Sequence, residues 1–293
     1  MRVFVTGSTG WVGSAVVQEL IAAGHAVTGL ARSREKADAL AKAGMAVQLG
    51  SITDLDLIRE AASGADGVIH CAFNHDFSRF LENCAEDERA IGAMGAALEG
   101  SDRPLLVTSG MALIAPGRLA DEDDATAPHF PRRSEAAALA LLDKGVKAGA
   151  VRLPPSVHGL GDHGFVPRLI AIAREKGVAA YVGDGSNRWA GVHRLDAAKV
   201  YRLALEGGVT RSAYHAIGDE GVPFKDIAAV IGRRLGVPVA SKTPEEAAEH
   251  FGWMAPFAGM DLAASGEKTK ALLGWAPVER GLVADLDQPG YFA

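Results

Sequence analysis

The chain has little with which to cross-link itself. Its two cysteines, Cys71 and Cys84, cannot build a multi-bridge framework, and free thiols suit a reducing compartment. It also lacks any apolar run approaching the ~20 residues that span a bilayer. Met1-Arg2-Val3-Phe4-Val5 passes straight into a glycine loop without signal-peptide anatomy. A cytoplasmic protein with no membrane partner is therefore expected. Positive charge is not in excess: the net charge is −6, which argues against a surface for nucleic acid. Aromatics are scarce at 6%, and neither a repeat nor a low-complexity linker is found. Glycine is plentiful, 35 residues among 293, while 48% of residues are apolar and 23% charged. That balance excludes fibres and disorder and leaves ample core for one large domain or two small ones.

Val3-Phe4-Val5 reads as a short strand, and Thr6-Gly7-Ser8-Thr9-Gly10-Trp11-Val12-Gly13 follows it directly. Ala15, Val16, Leu20 and Ile21 then recur at helical spacing up to Gly24, and His25 to Leu30 is apolar again. Strand, glycine loop, helix and strand together predict a dinucleotide site. Backbone N–H groups of such a loop can approach a pyrophosphate, and the helix N-terminus adds positive potential there. The second strand ends Gly29-Leu30-Ala31-Arg32-Ser33-Arg34. An acid at this place would accept from the ribose 2′-OH of NAD, whereas an arginine meets the 2′-phosphate of NADP. The acid is missing and Arg32 has the right charge, with Ser33 beside it, so NADP is expected over NAD.

The spacing Gly7-x-x-Gly10-x-x-Gly13 within Thr-Gly-x-Thr-Gly-x-x-Gly resembles the extended and atypical short-chain dehydrogenase/reductases, a group that includes the NAD-dependent epimerase/dehydratases. Further landmarks run along the whole chain. Gly50-Ser51-Ile52-Thr53-Asp54 resembles the family segment flanking the adenine, with Ser51 in place of the usual acid. Gly67 to Phe73 resembles the fourth strand, Pro104 to Gly110 the fifth, and Ala148 to Leu153 the sixth. Pro154-Pro155-Ser156-Val157-His158-Gly159, Val192-His193-Arg194-Leu195-Asp196 and Leu273-Gly274-Trp275-x-Pro277 are similar to later family segments. The resemblance implies an α/β chain: a Rossmann-type doubly wound parallel sheet from residues 1–155 and about 190–218. A smaller, discontinuous substrate subdomain would come from about 156–189 and 219–293. It also implies cofactor contacts from Gly7, Thr9, Gly10, Trp11, Val12, Gly13, Arg32, Ser33, Ser51, Ile52, Cys71, Ala72, Phe73, Thr108, Pro154 and Ser156.

Relatives that reduce or oxidise alcohols use Tyr-x-x-x-Lys together with a Ser or Thr; the Tyr passes a proton to the carbonyl oxygen. Aligning Ser134-Glu135 with the family's Ser-Lys puts Pro131 where Tyr belongs and Glu135 where Lys belongs. None of the four tyrosines (Tyr181, Tyr201, Tyr214, Tyr291) has a lysine four residues on. Ser109, His158 and Tyr181 are the candidate catalytic residues, with Arg133 or Ser134 taking part of the lysine's role. The resulting expectation is an NAD(P)-dependent oxidoreductase, NADP-linked, acting on a small organic carbonyl or alcohol. A cofactor-binding regulator and a sugar-type epimerase or dehydratase are the alternatives. No metal is expected, since His70/His75 and His158/His163 have no Cys or carboxylate at ligand spacing. The Ala-rich stretch from Ser134 to Lys144 would permit a homodimer. Asp121-Glu122-Asp123-Asp124 reads as a solvated charge run, and Trp253 with Phe251 and Phe257 as a pocket roof or subdomain core.

Overall fold

The computed structural model describes residues 1–112, 114–127 and 129–293, except for the side chain of Phe77. Strands form where β-branched apolar runs are bounded by glycine or polar turns, and amphipathic stretches between them coil into helices. β1 (Arg2–Thr6) leads into α1 (Trp11–Ala22), followed by β2 (Ala26–Ala31), α2 (Arg34–Lys42), β3 (Ala46–Leu49), α3 (Leu55–Ser63) and β4 (Gly67–His70). Then come α4 (Phe80–Ala96), β5 (Pro104–Gly110), α5 (Ser134–Leu139), β6 (Lys147–Leu153), β7 (Ser156–His158) and α6 (Phe165–Lys176). β8 (Ala179–Val182), β9 (Arg188–His193), α7 (Arg194–Glu206), β10 (Ala213–His215), β11 (Asp219–Pro223) and α8 (Phe224–Leu235) continue the chain. It closes with β12 (Val239–Lys242), α9 (Pro244–Phe251), α10 (Ala255–Gly259), α11 (Glu267–Leu273) and α12 (Leu282–Leu286).

The central sheet runs β10-β6-β5-β4-β1-β2-β3, with every pairing parallel. The chain builds outward from β1 to β3 and then returns to lay β4 against β1's other edge. This reversal opens a crevice above the carboxyl ends of β1 and β4, which is where ligands of doubly wound sheets bind. Both faces are buried, as a parallel sheet requires. Val3 and Val5 face a core with Val16, Leu20, Val200 and Tyr201 from α1 and α7. Phe4, one residue out of phase, joins Ile58, Ile91 and Leu105 on the opposite side.

A second core gathers Trp189, Phe224, Ile227, Phe251 and Met254 around the β8–β12 pair and the three-stranded sheet β11-β9-β7. The stretch after Pro223 is not all helical: Val239–Lys242 pairs in parallel with β8. The Ala-rich helix is also shorter than its composition suggests. It stops at Leu139, a 3₁₀ turn takes Leu142–Lys144, and Gly145 closes it at φ 72°. Leu141 has been drawn into the core, where it sits against Gly95 of α4. Among the described residues no helix is long and apolar enough to cross a membrane.

Candidate active site

The glycine loop is shaped by close backbone approaches. Gly7 has φ 68°, and a Cβ there would lie 2.6 Å from the Ala72 amide nitrogen, so both backbone and space require glycine. A Cβ on Gly13 would collide with the Gly7 carbonyl oxygen. Ser8 turns inward and donates to the Leu30 carbonyl (2.9 Å). Gly10 precedes α1 with no side-chain cap, and the helix has no acid in its first turn. Its leading N–H groups are therefore left for an external anion. Trp11 fixes the loop's outer side by donating from Nε1 to the Val157 carbonyl (2.7 Å), under the guanidinium of Arg194.

A cavity of about 920 Å³ extends from this loop across the carboxyl ends of the central strands. Arg32, Lys36, Ser51 and Ile52 line one end; Gly7 to Gly13, Cys71 and Ala72 line the middle. The other end holds Phe73, His75, Ser109, Arg132 and Ser156, with Phe165, Trp253 and Phe257 contributed by the smaller unit. Every cofactor residue expected from the sequence lines this cavity except Ser33. Its hydroxyl instead caps α2, accepting from the Lys36 amide (3.3 Å).

Below the floor runs a buried polar network. Thr6 Oγ1 donates to His70 Nδ1 (2.7 Å), and His70 Nε2 donates to Asp87 Oδ1 (3.0 Å). Ser134 Oγ donates to Asp87 Oδ2 (2.6 Å), and Arg132 Nε donates to Ser134 Oγ (3.0 Å). Burial alone would push the Asp87 carboxyl up; the hydrogen bond and charge of His70, with Arg132 and Ser134, hold it below the usual range. Arg132 also donates from Nη2 to the Thr108 carbonyl (3.0 Å) and lies 4.1 Å above the Phe73 ring. The Thr108 hydroxyl donates to the His70 carbonyl (2.9 Å), so its bond with Tyr201 (2.8 Å) has the tyrosine as donor. Thr108 thus has no proton left for a substrate. Tyr201 is fully buried, which drives its phenol well above the ordinary value.

Two catalytic expectations fail on placement. His158 is completely buried beneath the cavity wall, outside the lining. It donates from Nδ1 to Asp285 Oδ2 (2.9 Å) and stands edge-on to His193. Tyr181 sits in β8, paired with Ser241 in the second core, and is also outside the lining. A cavity-lining position belongs to Ser109, whose hydroxyl has no partner among the described residues. Glu135 and Ser134 are turned into the protein, Arg133 is exposed, and Arg132 is the cation of this segment that reaches the cavity. Sequence reasoning missed Arg132 because the alignment fixed attention on Pro131 and Glu135; its signal was a cation next to the vacant Tyr position. The preceding Pro128 lies outside the described residues.

His75 also lines this end, and burial, followed by the Arg132 charge, holds its imidazole below the usual value. Trp253 and Phe257 roof the cavity, whereas Phe251 is buried in the second core. The acidic run is not solvated as expected. Glu122 is buried and accepts from the Thr269 amide (2.7 Å), and Asp121 and Asp123 both hold Lys268. His193 caps α7, and Asp196 accepts from the Val278 and Glu279 amides (3.0 and 2.9 Å), tying the C-terminal segment to that helix.

A glycine cradle at the switch point of a doubly wound parallel sheet, opening onto a long cavity, defines a nicotinamide-nucleotide-binding protein of the Rossmann class. Residues 7–146 match a family model described as NAD(P)H-binding. An uncharacterized protein of Schizosaccharomyces pombe is 46% identical over 295 residues, spanning 100% of both chains. A 2-alkyl-3-oxoalkanoate reductase of Stenotrophomonas maltophilia is 29% identical, covering 83% of this chain and 78% of its own. The dTDP-glucose 4,6-dehydratase DesIV of Streptomyces venezuelae, solved with NAD bound, superposes with a TM-score of 0.76 at 21% identity, covering 100% of this chain and 97% of its own. Residues 7–146 form an NAD(P)H-binding domain, the chain and the Schizosaccharomyces pombe protein belong to one family, and the fold is that of the short-chain dehydrogenase/reductase group that includes the NAD-dependent epimerase/dehydratases. That group comprises pyridine-nucleotide-dependent oxidoreductases, epimerases and dehydratases.

Proposed function

We propose that the protein is an NADP-dependent oxidoreductase acting on a small organic carbonyl or alcohol in the compartment beyond Phe73. The observation that carries the NADP reading is the pair Arg32 and Lys36 at the β2 end of the cavity, with no carboxylate lining that end. Two cations there suit a 2′-phosphate, and among the described residues that end has no carboxylate to accept from a 2′-hydroxyl.

The residues present fit such a cofactor. Gly7 and Gly13 keep clear the space that a Cβ would fill. Ser156 is 2% exposed and lines the cavity, and its hydroxyl has no hydrogen-bond partner among the described residues. A buried orphan of this kind calls for a polar ligand group, and the carboxamide of a nicotinamide supplies one. When bound, the cofactor supplies or accepts the hydride. Ser109 offers a free hydroxyl to orient the substrate oxygen, and the aromatic roof excludes water. A purely regulatory nucleotide binder would need no polar-and-aromatic extension of the cavity, and the lining by His75, Ser109 and Arg132 with Phe165, Trp253 and Phe257 supports the enzyme reading.

The test is a fluorescence titration of the purified protein with NADPH and with NADH, repeated on Arg32→Ala. NADPH is expected to bind more tightly, and the variant to lose about 10- to 100-fold in NADPH affinity, as for one lost charged hydrogen bond. Tighter binding of NADH, or no change in Arg32→Ala, overturns the NADP assignment. Failure to bind either nucleotide overturns the oxidoreductase reading.

A further inference from the structure

We propose that the compartment beyond Phe73 is an anion site in which Arg132 receives the carboxylate of an apolar keto or hydroxy acid. The inference deepens the oxidoreductase reading and rests on it for calling that acid a substrate.

An arginine side chain carries five N–H donors, and Arg132 uses two of them, on Ser134 and on the Thr108 carbonyl, leaving three with no acceptor among the described residues. No carboxylate among those residues touches its guanidinium. Asp87 is reached only through the Ser134 hydroxyl and is already engaged by His70. A cation in that position is poorly compensated, and its burial pushes its pKa down. A ligand carboxylate would complete a bidentate, charge-assisted pair, the strongest polar contact an arginine makes.

The group is also held ready. Two hydrogen bonds and the Phe73 ring fix the plane of the guanidinium before any ligand arrives. Other charge facing the compartment leans the same way. Arg168, His75 and His163 line it, against Glu86 and Asp162. Glu86 lies 4.0 Å from Arg79, and Asp162 accepts from the Gly164 amide while burial pushes its carboxyl up. Around these groups the walls are aromatic. Phe80 meets Phe130 edge-on at 6.3 Å, and Phe165 packs between Trp253 and Phe257 at 6.2 and 5.0 Å. A cation held in place by two hydrogen bonds and a ring, in a chamber with aromatic walls, matches a carboxylate on an apolar body.

The experiment compares 3-phenylpropanoate with its neutral isostere 3-phenylpropanamide by calorimetry at pH 7. The protein is first saturated with the nucleotide that binds it, so that Arg32 and Lys36 are occupied. The carboxylate is expected to bind at least about tenfold more tightly than the amide. Arg132→Gln should abolish that difference and Arg132→Lys should keep part of it; both folds are checked by circular dichroism. Equal affinities in the unmodified protein overturn the anion site and favour a neutral carbonyl as the group Arg132 meets. A preference that survives in Arg132→Gln overturns the assignment to Arg132. Should Arg132→Gln fail to fold, a carboxylate preference in the unmodified protein that falls in Arg132→Lys carries the assignment, and an undiminished preference there overturns it. Nucleotide binding is titrated separately. Normal NADPH binding without carboxylate preference removes this inference alone. If no nucleotide binds, the same comparison is run on the apo-protein and on Arg32→Ala. A carboxylate preference that persists in Arg32→Ala and is lost in Arg132→Gln removes only the oxidoreductase reading; one lost in Arg32→Ala overturns the anion site.

Discussion

Glu135 grips Arg152 with both carboxylate oxygens, at 2.8 and 2.6 Å, where the two side chains are almost wholly buried. Arg152 also donates to His215 Nε2 (3.1 Å) and to the Asp124 carbonyl (2.7 Å). The position that aligns with the family's lysine has therefore become part of a structural ion pair joining α5 to β6. Removing one partner of such a pair leaves a buried charge without compensation. Glu135→Ala should cost about 3–5 kcal/mol of stability, read from the denaturant midpoint. Glu135→Lys, which puts the family's residue back, should be more damaging still, because it sets a second cation against Arg152. A Glu135→Lys protein as stable as the parent would show that the pair is not what holds α5 in place.

The glycine loop makes a separate prediction. Gly7→Ala brings a methyl group to 2.6 Å from the Ala72 nitrogen at a φ of 68°. The loop must shift, and with it the amides that would face a bound pyrophosphate. Nucleotide affinity should fall by at least about tenfold, in line with the 1–3 kcal/mol of strain at such a residue. Gly24→Ala is the control. Its φ is also positive, at 84°, but nothing lies within 4 Å of the added Cβ, so it should cost stability without changing nucleotide affinity. Equal losses of affinity in both variants would mean that the first acts through folding alone.

Most of the cofactor half was legible because its determinants are local. A strand of three apolar residues, three glycines at fixed spacing and a change of period specify the loop without reference to distant chain. The Arg32 position follows from counting to the end of the next strand. The reactive end was less legible because its geometry is tertiary. His158 is a candidate from the sequence because it follows β6 closely. Only the packing of α12 shows that Asp285, itself held by Tyr291, accepts from its Nδ1. Arg132 and Glu135 stand three residues apart on one short segment, yet one reaches the cavity and the other the interior. Composition could not tell the acidic run from a solvated loop, because Lys268 and the Thr269 amide that hold it lie far along the chain.

Cys71 sets an alkaline limit. Burial pushes its thiol from 9.0 to about 11. The folded protein therefore keeps this proton where the unfolded chain releases it. The corresponding stability is complete below pH 9 and drains away as pH rises towards 11. The same shift should make Cys71 slow to react with iodoacetamide at pH 8, since only the thiolate attacks. Because Cys71 lines the cavity, saturating nucleotide should slow it further. Rapid labelling of Cys71, identified by peptide mass mapping and unaffected by nucleotide, would contradict the cofactor's placement.

At the acid end, Arg2 holds Asp66 and Arg118 holds Asp124 by side-chain hydrogen bonds, each carboxyl falling from 3.8 to about 2. Folded values below the unfolded ones mean stability that is present above pH 4 and lost as pH falls towards 2. Denaturant midpoints measured from pH 5 to pH 2 should fall less steeply in Asp66→Asn than in the parent.

Ser109 and His158 separate a cavity residue from a supporting one. His158→Ala removes the Nδ1 donor from Asp285 and opens a void in the packed wall. It should cost about 1–3 kcal/mol of stability and leave NADPH affinity within about twofold, because the ring is outside the lining. Ser109→Ala removes a hydroxyl with no partner among the described residues, so stability should stay within about 0.5 kcal/mol. Once a substrate is in hand, its loss should appear in kcat, by about 10- to 100-fold, if the hydroxyl orients the reacting oxygen. The pattern is a double dissociation: one variant is weaker in folding and normal in nucleotide binding, the other normal in folding and slow in turnover. A His158→Ala protein of parental stability with slowed turnover would restore the histidine to the chemistry and require the cavity wall to open around it.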